Sequence, residues 1–335
     1  MKQRSPAAPV VLKFGGELLE EPQRVAALAR TLAKLSRATR LVIVHGGGRE
    51  IDASLARAGI DKRQVDGLRI TDEPTLNIVV SVLAGLVNTR FVAALGAAGV
   101  SAVGLTGADA GIGRVEPAKR HVSTSGVSVD LGRVGDPLGK DKPALLTALC
   151  RKGFVPVVAS IGASRDGRLF NVNADTLAAH LAGRLKSPRL VFAGTTAGVL
   201  DGAGVTIAGM TFDDIDALIA SGGVTAGMVA KLEACRSAVD GGTREVFVAS
   251  GLDLDGLSVL ARYGSKAGAA KSTRITGDGS ARLRPRAHSR ATARRAEAVA
   301  KAAKRRQVSQ MAAKRPPPQE LRRASPKQSD GERGA

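Results

Sequence analysis

The sequence holds no tryptophan, one tyrosine and seven phenylalanines, so aromatics make up only 2% of its 335 residues. Its two cysteines, Cys150 and Cys235, each lie inside an apolar stretch. Two isolated thiols exclude a disulfide framework and a cysteine metal cluster. They read as buried free thiols, and no metal-ligating set stands out. Gly or polar residues break every apolar run well short of the roughly 18 residues of a membrane span. Residues 1–9 carry two basic side chains but no apolar core of a secretory signal. A reducing cytoplasm is therefore the expected compartment. Two nucleotide fingerprints are also missing. Without G-x-x-x-x-G-K-[ST], and without G-x-G-x-x-G after a strand, the chain is neither a P-loop kinase nor an ordinary Rossmann dehydrogenase.

What is present suits an α/β fold. Hydrophobic residues make up 44% of the chain, mostly Ala, Val, Leu and Ile, alongside 40 Gly. That mixture favours buried parallel strands and closely packed Ala-rich helices. The pattern predicts a strand at 10–14, a helix over 22–35, a strand at 41–44 and a helix over 49–58, with glycines at each strand end. Two strand–glycine–helix units in succession indicate a parallel sheet with right-handed crossovers. A short hairpin or loop is expected at 64–72, a long helix over 74–98 and a strand at 102–105. Hairpins follow in 108–142, then a helix over 145–152 and a strand at 155–160. The second half predicts helices over 174–185, 212–221 and 228–240. Its strands fall at 190–193 and 245–249, with a final edge strand at 273–276.

The net charge of +20 is concentrated at one end. Residues 278–335 hold 16 Lys or Arg against 5 Asp or Glu, more than half of the excess. This segment, with an Ala- and Arg-rich stretch at 290–314 and three consecutive prolines after it, reads as a basic, disordered tail. The tail could be inert, dock an acidic partner or bind nucleic acid through counterion release. With no aromatics interleaved, nucleic-acid binding would be non-specific.

Chemistry is suggested by the strand ends. Gly15-Gly16 and Gly46-Gly47-Gly48 each follow a strand and open a helix, where free N–H groups and the helix dipole can hold phosphate oxygens. Tight turns are the ordinary alternative. Lys13 sits near the end of the first strand, with only Phe14 between it and the first glycine loop. Its ammonium would reach whatever that loop holds, unless it merely snorkels.

Five ordered motifs carry a resemblance. They are Lys13-Phe14-Gly15-Gly16, His45-Gly46-Gly47-Gly48-Arg49-Glu50, Gly67-Leu68-Arg69-Ile70-Thr71-Asp72, Asn171-Val172-Asn173-Ala174-Asp175 and Gly227-Met228-Val229-Ala230-Lys231. Together, across about 10–276, they resemble the acetylglutamate kinases of the amino acid kinase family. The resemblance implies a three-layer αβα sandwich with a mainly parallel sheet of about eight strands, filling residues 1–277. An N-terminal lobe, about 10–170, would bind the amino-acid substrate; a C-terminal lobe, about 171–277, would bind ATP. It implies ATP-dependent phosphorylation of the γ-carboxylate of N-acetyl-L-glutamate, a step of arginine biosynthesis.

By the same resemblance Lys13 and Lys231 neutralise the transferring phosphoryl group, and Asp175 orients both. Arg69 would grip the substrate α-carboxylate, Asn171 the N-acyl amide, and Gly46 and Gly47 the γ-carboxylate. ATP, with Mg²⁺ on its phosphates, would meet Gly15, Gly16, Thr195, Gly198, Leu200, Gly227 and Met228. Thr195 replaces an acidic residue usual in the family, and Ala226 stands where Gly or Asp is common. His45 is expected to shape its strand end rather than to act in chemistry. Alternatives are a kinase for another acylated acidic amino acid, such as carrier-linked aminoadipate or glutamate, and a weakened kinase-like regulatory protein. Arginine-regulated relatives carry an extra N-terminal helix. Only nine residues precede the first strand here, and 254–274 lacks a clear arginine-site pattern, so an arginine-insensitive homodimer is expected.

Overall fold

Strand β1 (Val10–Phe14) is buried at every position, although Lys13 is one of its five residues. Its sequence does not alternate because both faces of the strand are covered. It belongs to an eight-stranded sheet with β2 (Leu41–His45), β3 (Ala102–Thr106), β4 (Val155–Ala159), β5 (Arg189–Gly194), β6 (Gly209–Met210), β7 (Glu245–Ser250) and β8 (Ser272–Ile275). The strand order is β6-β8-β7-β5-β1-β2-β4-β3. All neighbours are parallel except β7 and β8. This computed structural model describes residues 8–123, 126–267 and 271–277. The expected helix at 290–314 and the disordered tail lie outside the described residues.

Helices α1 (Pro22–Ser36), α2 (Gly48–Arg57), α3 (Glu73–Val80), α4 (Asn88–Ala97), α5 (Ala144–Arg151), α6 (Ala174–Leu185), α7 (Phe212–Ala220), α8 (Ala226–Asp240) and α9 (Leu254–Tyr263) cover the two faces. Leu12, Phe14, Ile43, Val157 and Val191 pack with residues of α1, α2, α3, α4 and α9. Val11, Val42, Val44, Val158 and Phe192 pack instead with α5, α6, α7 and α8. The result is the expected three-layer αβα sandwich. Strand alternation then decides where Lys13 goes. Leu12 and Phe14 face the first layer, so Lys13 faces the layer of α6 and α8.

The helix expected over 74–98 is a continuous run, Glu73–Ala97, interrupted by a π-helical segment, Ser81–Val87. Asp72 caps it, its side chain accepting from Thr75 N at 3.0 Å. The run is long and apolar enough to cross a membrane by composition. Val79, Leu83, Val87, Phe91 and Leu95 are buried in the core on the face that packs towards the sheet.

Three readings change. Strand β8 is not at the edge, because the two-residue β6 pairs outside it. Helix α9 was not anticipated, although Asp253 caps it and Leu257, Leu260 and Ala261 are buried at helical spacing. A hairpin pairing Ile161–Ala163 with Leu169–Asn171 was also missed. Its strands are three residues long, too short to show a period.

Candidate active site

The carboxyl ends of β1, β2, β4, β5 and β7 all lie along one rim of the sheet. Chain order reverses direction between β1 and β5, the place where parallel sheets leave a crevice for ligands. Gly15 follows β1 and Gly194 ends β5 on either side of that crevice. Gly15 N donates to Ala193 O at 3.1 Å.

Lys13 reaches across to the N-terminus of α6. Its Nζ lies 2.9 Å from Asp175 Oδ1. Lys231, one turn into α8, places its Nζ 3.1 and 3.0 Å from the two oxygens of the same carboxylate. The Lys231 ammonium also lies 5.6 Å over the ring of Phe192, the residue paired with Lys13 in the sheet. Asp175 is held by its own helix start, where Asn173 Oδ1 accepts from Asp175 N and Thr176 N at 2.8 and 3.2 Å. Burial pulls the Lys13 ammonium below the usual lysine range; Asp175 opposes this and Lys231 adds to it. Burial pushes the Asp175 carboxyl up, but the two lysines together hold it below its usual range. One buried and one half-buried ammonium share a single carboxylate, so the cluster favours an anion beside it. An anion would complete the site.

The glycine loops converge on this triad. A methyl on Gly16 would lie 2.6 Å from Gly47 Cα, so these two loops touch backbone to backbone. A methyl on Gly46 would stand 3.5 Å from Ala174 Cβ, beside Asp175. Gly67, at φ +77, turns the 64–69 hairpin against α8, where a methyl would meet Gly227 N at 3.4 Å.

Arg69 lies on that hairpin. Its Nη2 pairs with Asp52 and donates to Gly48 O at 3.4 Å, while its Nη1 is buried without a hydrogen-bond partner. Such a donor calls for an acceptor. Asn171 Nδ2 donates to Thr71 Oγ1 at 3.1 Å, and that hydroxyl donates to Arg69 O at 3.1 Å. Arg69 and Asn171, distant in sequence, are thus joined through Thr71. A cleft of about 430 Å³ lined by Glu73, Leu76, Arg133 and Arg168 contains none of the expected site residues.

The remaining expected residues are less drawn in. Thr195 is exposed just beyond β5, and Leu200 is also exposed. Gly198, at φ +140, leaves room for Thr273, whose Oγ1 accepts from Val199 N at 2.8 Å; packing alone requires this glycine. Gly227 faces open space, and Met228 packs against the core beneath α8. Sequence reading missed Asp52 and Thr71. The signal for Asp52 was its place one turn after the second glycine loop; Thr71 lay unnoticed within the arginine motif. Also missed was Glu17, an acidic residue set directly after Gly15-Gly16.

The chain belongs to the amino acid kinase family, whose profile matches residues 8–250. It is similar to the acetylglutamate kinase of Methanopyrus kandleri, 43% identical over 250 residues, covering 74% of this chain and 96% of that protein. The acetylglutamate kinase of Rhizobium leguminosarum bv. trifolii is 37% identical over 254 residues, covering 74% and 86%. Among solved structures, N-acetylglutamate synthase from Neisseria gonorrhoeae superposes with a TM-score of 0.67 at 23% identity, over 80% of this chain and 59% of that one, a likeness of fold.

Proposed function

We propose that this chain transfers the γ-phosphoryl group of ATP to the γ-carboxylate of N-acetyl-L-glutamate, giving N-acetyl-L-glutamyl 5-phosphate for arginine biosynthesis in the cytoplasm. The observation that carries this reading is the Lys13–Asp175–Lys231 cluster, with Lys13 and Asp175 buried, at the rim of two glycine loops. The acetylglutamate kinases that resemble the chain supply the substrate.

A carboxylate nucleophile is already an anion, so no residue has to remove a proton. The obstacle is bringing it to an anionic phosphate. Lys13 from β1 and Lys231 from α8 would supply fixed positive charge, and Asp175 would aim both. Backbone N–H groups of Gly15 and Gly16 would hold phosphate oxygens; those of Gly46 and Gly47 would hold the carboxylate under attack. Arg69 Nη1 would bind the substrate α-carboxylate and Asn171 the N-acyl amide. On this reading the N-terminal lobe, about 10–170, holds the amino acid. The C-terminal lobe, about 171–277, holds the nucleotide through Thr195, Gly198, Leu200, Gly227 and Met228.

Among the described residues no group of three or more His, Cys, Asp or Glu could cage a metal ion. That suits Mg²⁺, which keeps its waters and binds through one or two carboxylates together with substrate phosphates. Glu17 has the right chemistry for such a carboxylate. Bound there, Mg²⁺ would neutralise charge on the phosphate oxygens.

ADP release from purified protein should be fast with N-acetyl-L-glutamate and slow with carrier-linked aminoadipate or glutamate. The opposite ranking would move the assignment to a carrier-linked substrate. In Lys231→Ala we expect turnover to fall by about 10²–10³-fold with the fold intact by circular dichroism; wild-type turnover would sink the mechanism. We also propose a homodimer insensitive to arginine.

A further inference from the structure

We propose that Glu17 is this protein's own ligand for the divalent cation that accompanies the nucleotide, and that it makes tight nucleotide binding depend on that cation. The inference rests on the kinase reading above and adds a residue to it.

The backbone at Glu17 is fixed from several sides. Gly16–Leu18 form a single 3-10 turn, closed by Leu18 N to Gly15 O at 3.2 Å and Leu19 N to Gly16 O at 2.8 Å. Leu18 and Leu19 are buried, and Arg24 Nη1 donates to Glu17 O at 2.7 Å. From this turn the side chain runs back over the crevice. A methyl on Gly15 would meet the two Glu17 carboxylate oxygens at 2.2 and 2.3 Å, and a methyl on Gly194 would stand 3.5 Å from Oε1. The carboxylate therefore fills the space that two glycines clear, one at the end of β1 and one at the end of β5. That is the crevice where the phosphates are to lie.

It is a charged group without a partner. Among the described residues the Glu17 carboxylate takes part in no hydrogen bond or salt bridge. Arg24 does not pair with it, because Arg24 Nη1 goes to the Glu17 carbonyl and Nη2 to Glu21 Oε1 at 3.0 Å. Lys13 feels its field but is bonded to Asp175. A bare carboxylate among phosphate-binding loops repels a metal-free triphosphate. It becomes an asset when a hard, oxygen-seeking cation lies between it and the phosphate oxygens. Packing gives no reason for this residue: the side chain is half-buried, and an uncharged residue would fill the turn equally well.

The test uses the full-length protein and a non-hydrolysable ATP analogue. Affinity is measured by calorimetry with excess Mg²⁺ and with EDTA, for wild type and Glu17→Gln. Manganese binding in the presence of the analogue is followed by electron paramagnetic resonance. Wild type should prefer the metal complex strongly. Glu17→Gln should shrink that preference by about tenfold or more, tightening metal-free binding and weakening Mn²⁺ binding. Its melting temperature should stay close to wild type, which separates the effect from unfolding. An unchanged metal preference in Glu17→Gln would overturn this inference and leave the kinase reading standing. Failure of wild type to bind nucleotide under either condition would overturn both.

Discussion

His45 illustrates how much one buried side chain can fix. Its ring closes β2 with no solvent exposure. Asn88 Nδ2 donates to His45 Nε2 at 3.0 Å and to Val157 O at 2.9 Å. With Nε2 accepting, Nδ1 carries the proton and donates to Gly46 O at 3.1 Å. The neutral ring is thus satisfied on both sides and ties the second glycine loop to the core. Burial lowers its pKa to about 4, and Lys13 nearby adds to the effect. The folded pKa lies below the unfolded one, near 6.5. The stability it contributes is therefore complete above about pH 6.5 and lost as pH falls towards 4. A shift of that size is worth on the order of 3 kcal/mol. His180, also lowered to about 4 by burial, acts in the same window. Asp175, lowered by its lysines, acts only below the usual carboxylate range. Urea midpoints from pH 7 to 4 should fall steadily for wild type and less steeply for His45→Asn. Equal slopes would remove His45 from the account. The sequence showed a histidine before three glycines; only the fold brought Asn88 to it.

At the level of elements, the glycine loops act as a pair. The sequence displayed Gly15-Gly16 and Gly46-Gly47-Gly48 as separate turns. Only their parallel pairing through β1 and β2 shows that Gly16 is small because Gly47 lies against it. In Gly16→Ala the methyl would stand 2.6 Å from a backbone atom that cannot rotate away, so the loops must part. We expect a loss of about 1–3 kcal/mol in stability and about 10²-fold in turnover from misplacement of the proposed phosphate donors. Gly48→Ala is the control. Nothing lies within 4 Å of its added methyl, and the position is the first of α2, so stability should hold or rise slightly. If both variants behave alike in denaturant melts and ADP release, the close approach of the loops has no such consequence.

On the scale of the whole molecule, the charged cluster follows from which layer each helix joins. Helices α6 and α8 lie on the same face of the sheet, so Asp175 and Lys231 meet the one β1 side chain that points there. The Gly67 turn carries the Arg69 hairpin against the start of α8, linking the proposed substrate and nucleotide halves. The proposed homodimer should appear in light scattering, with turnover unchanged by millimolar arginine. A hexamer or arginine inhibition would overturn it. A chain ending at Gly277 should keep its turnover and lose any salt-sensitive retention on polyanions. Loss of turnover on truncation would give the basic segment a part in catalysis.

The sequence by itself determined the α/β class, the parallel crossovers, the glycine loops and the two lysines, because each leaves a local trace in periodicity, strand length or motif. It could not reveal that β8 would lie inside β6, since a two-residue strand carries no period. Nor could it show the partner of Arg69, the pairing of His45 with Asn88, or the carboxylate of Glu17 between two glycines. Those depend on which segments the crossovers bring side by side, and crossover packing is set by the whole core at once. The resemblance implied that Asp175 orients Lys13 and Lys231; the tertiary structure gave the physical reason, by setting residues from β1, α6 and α8 on one face of the sheet.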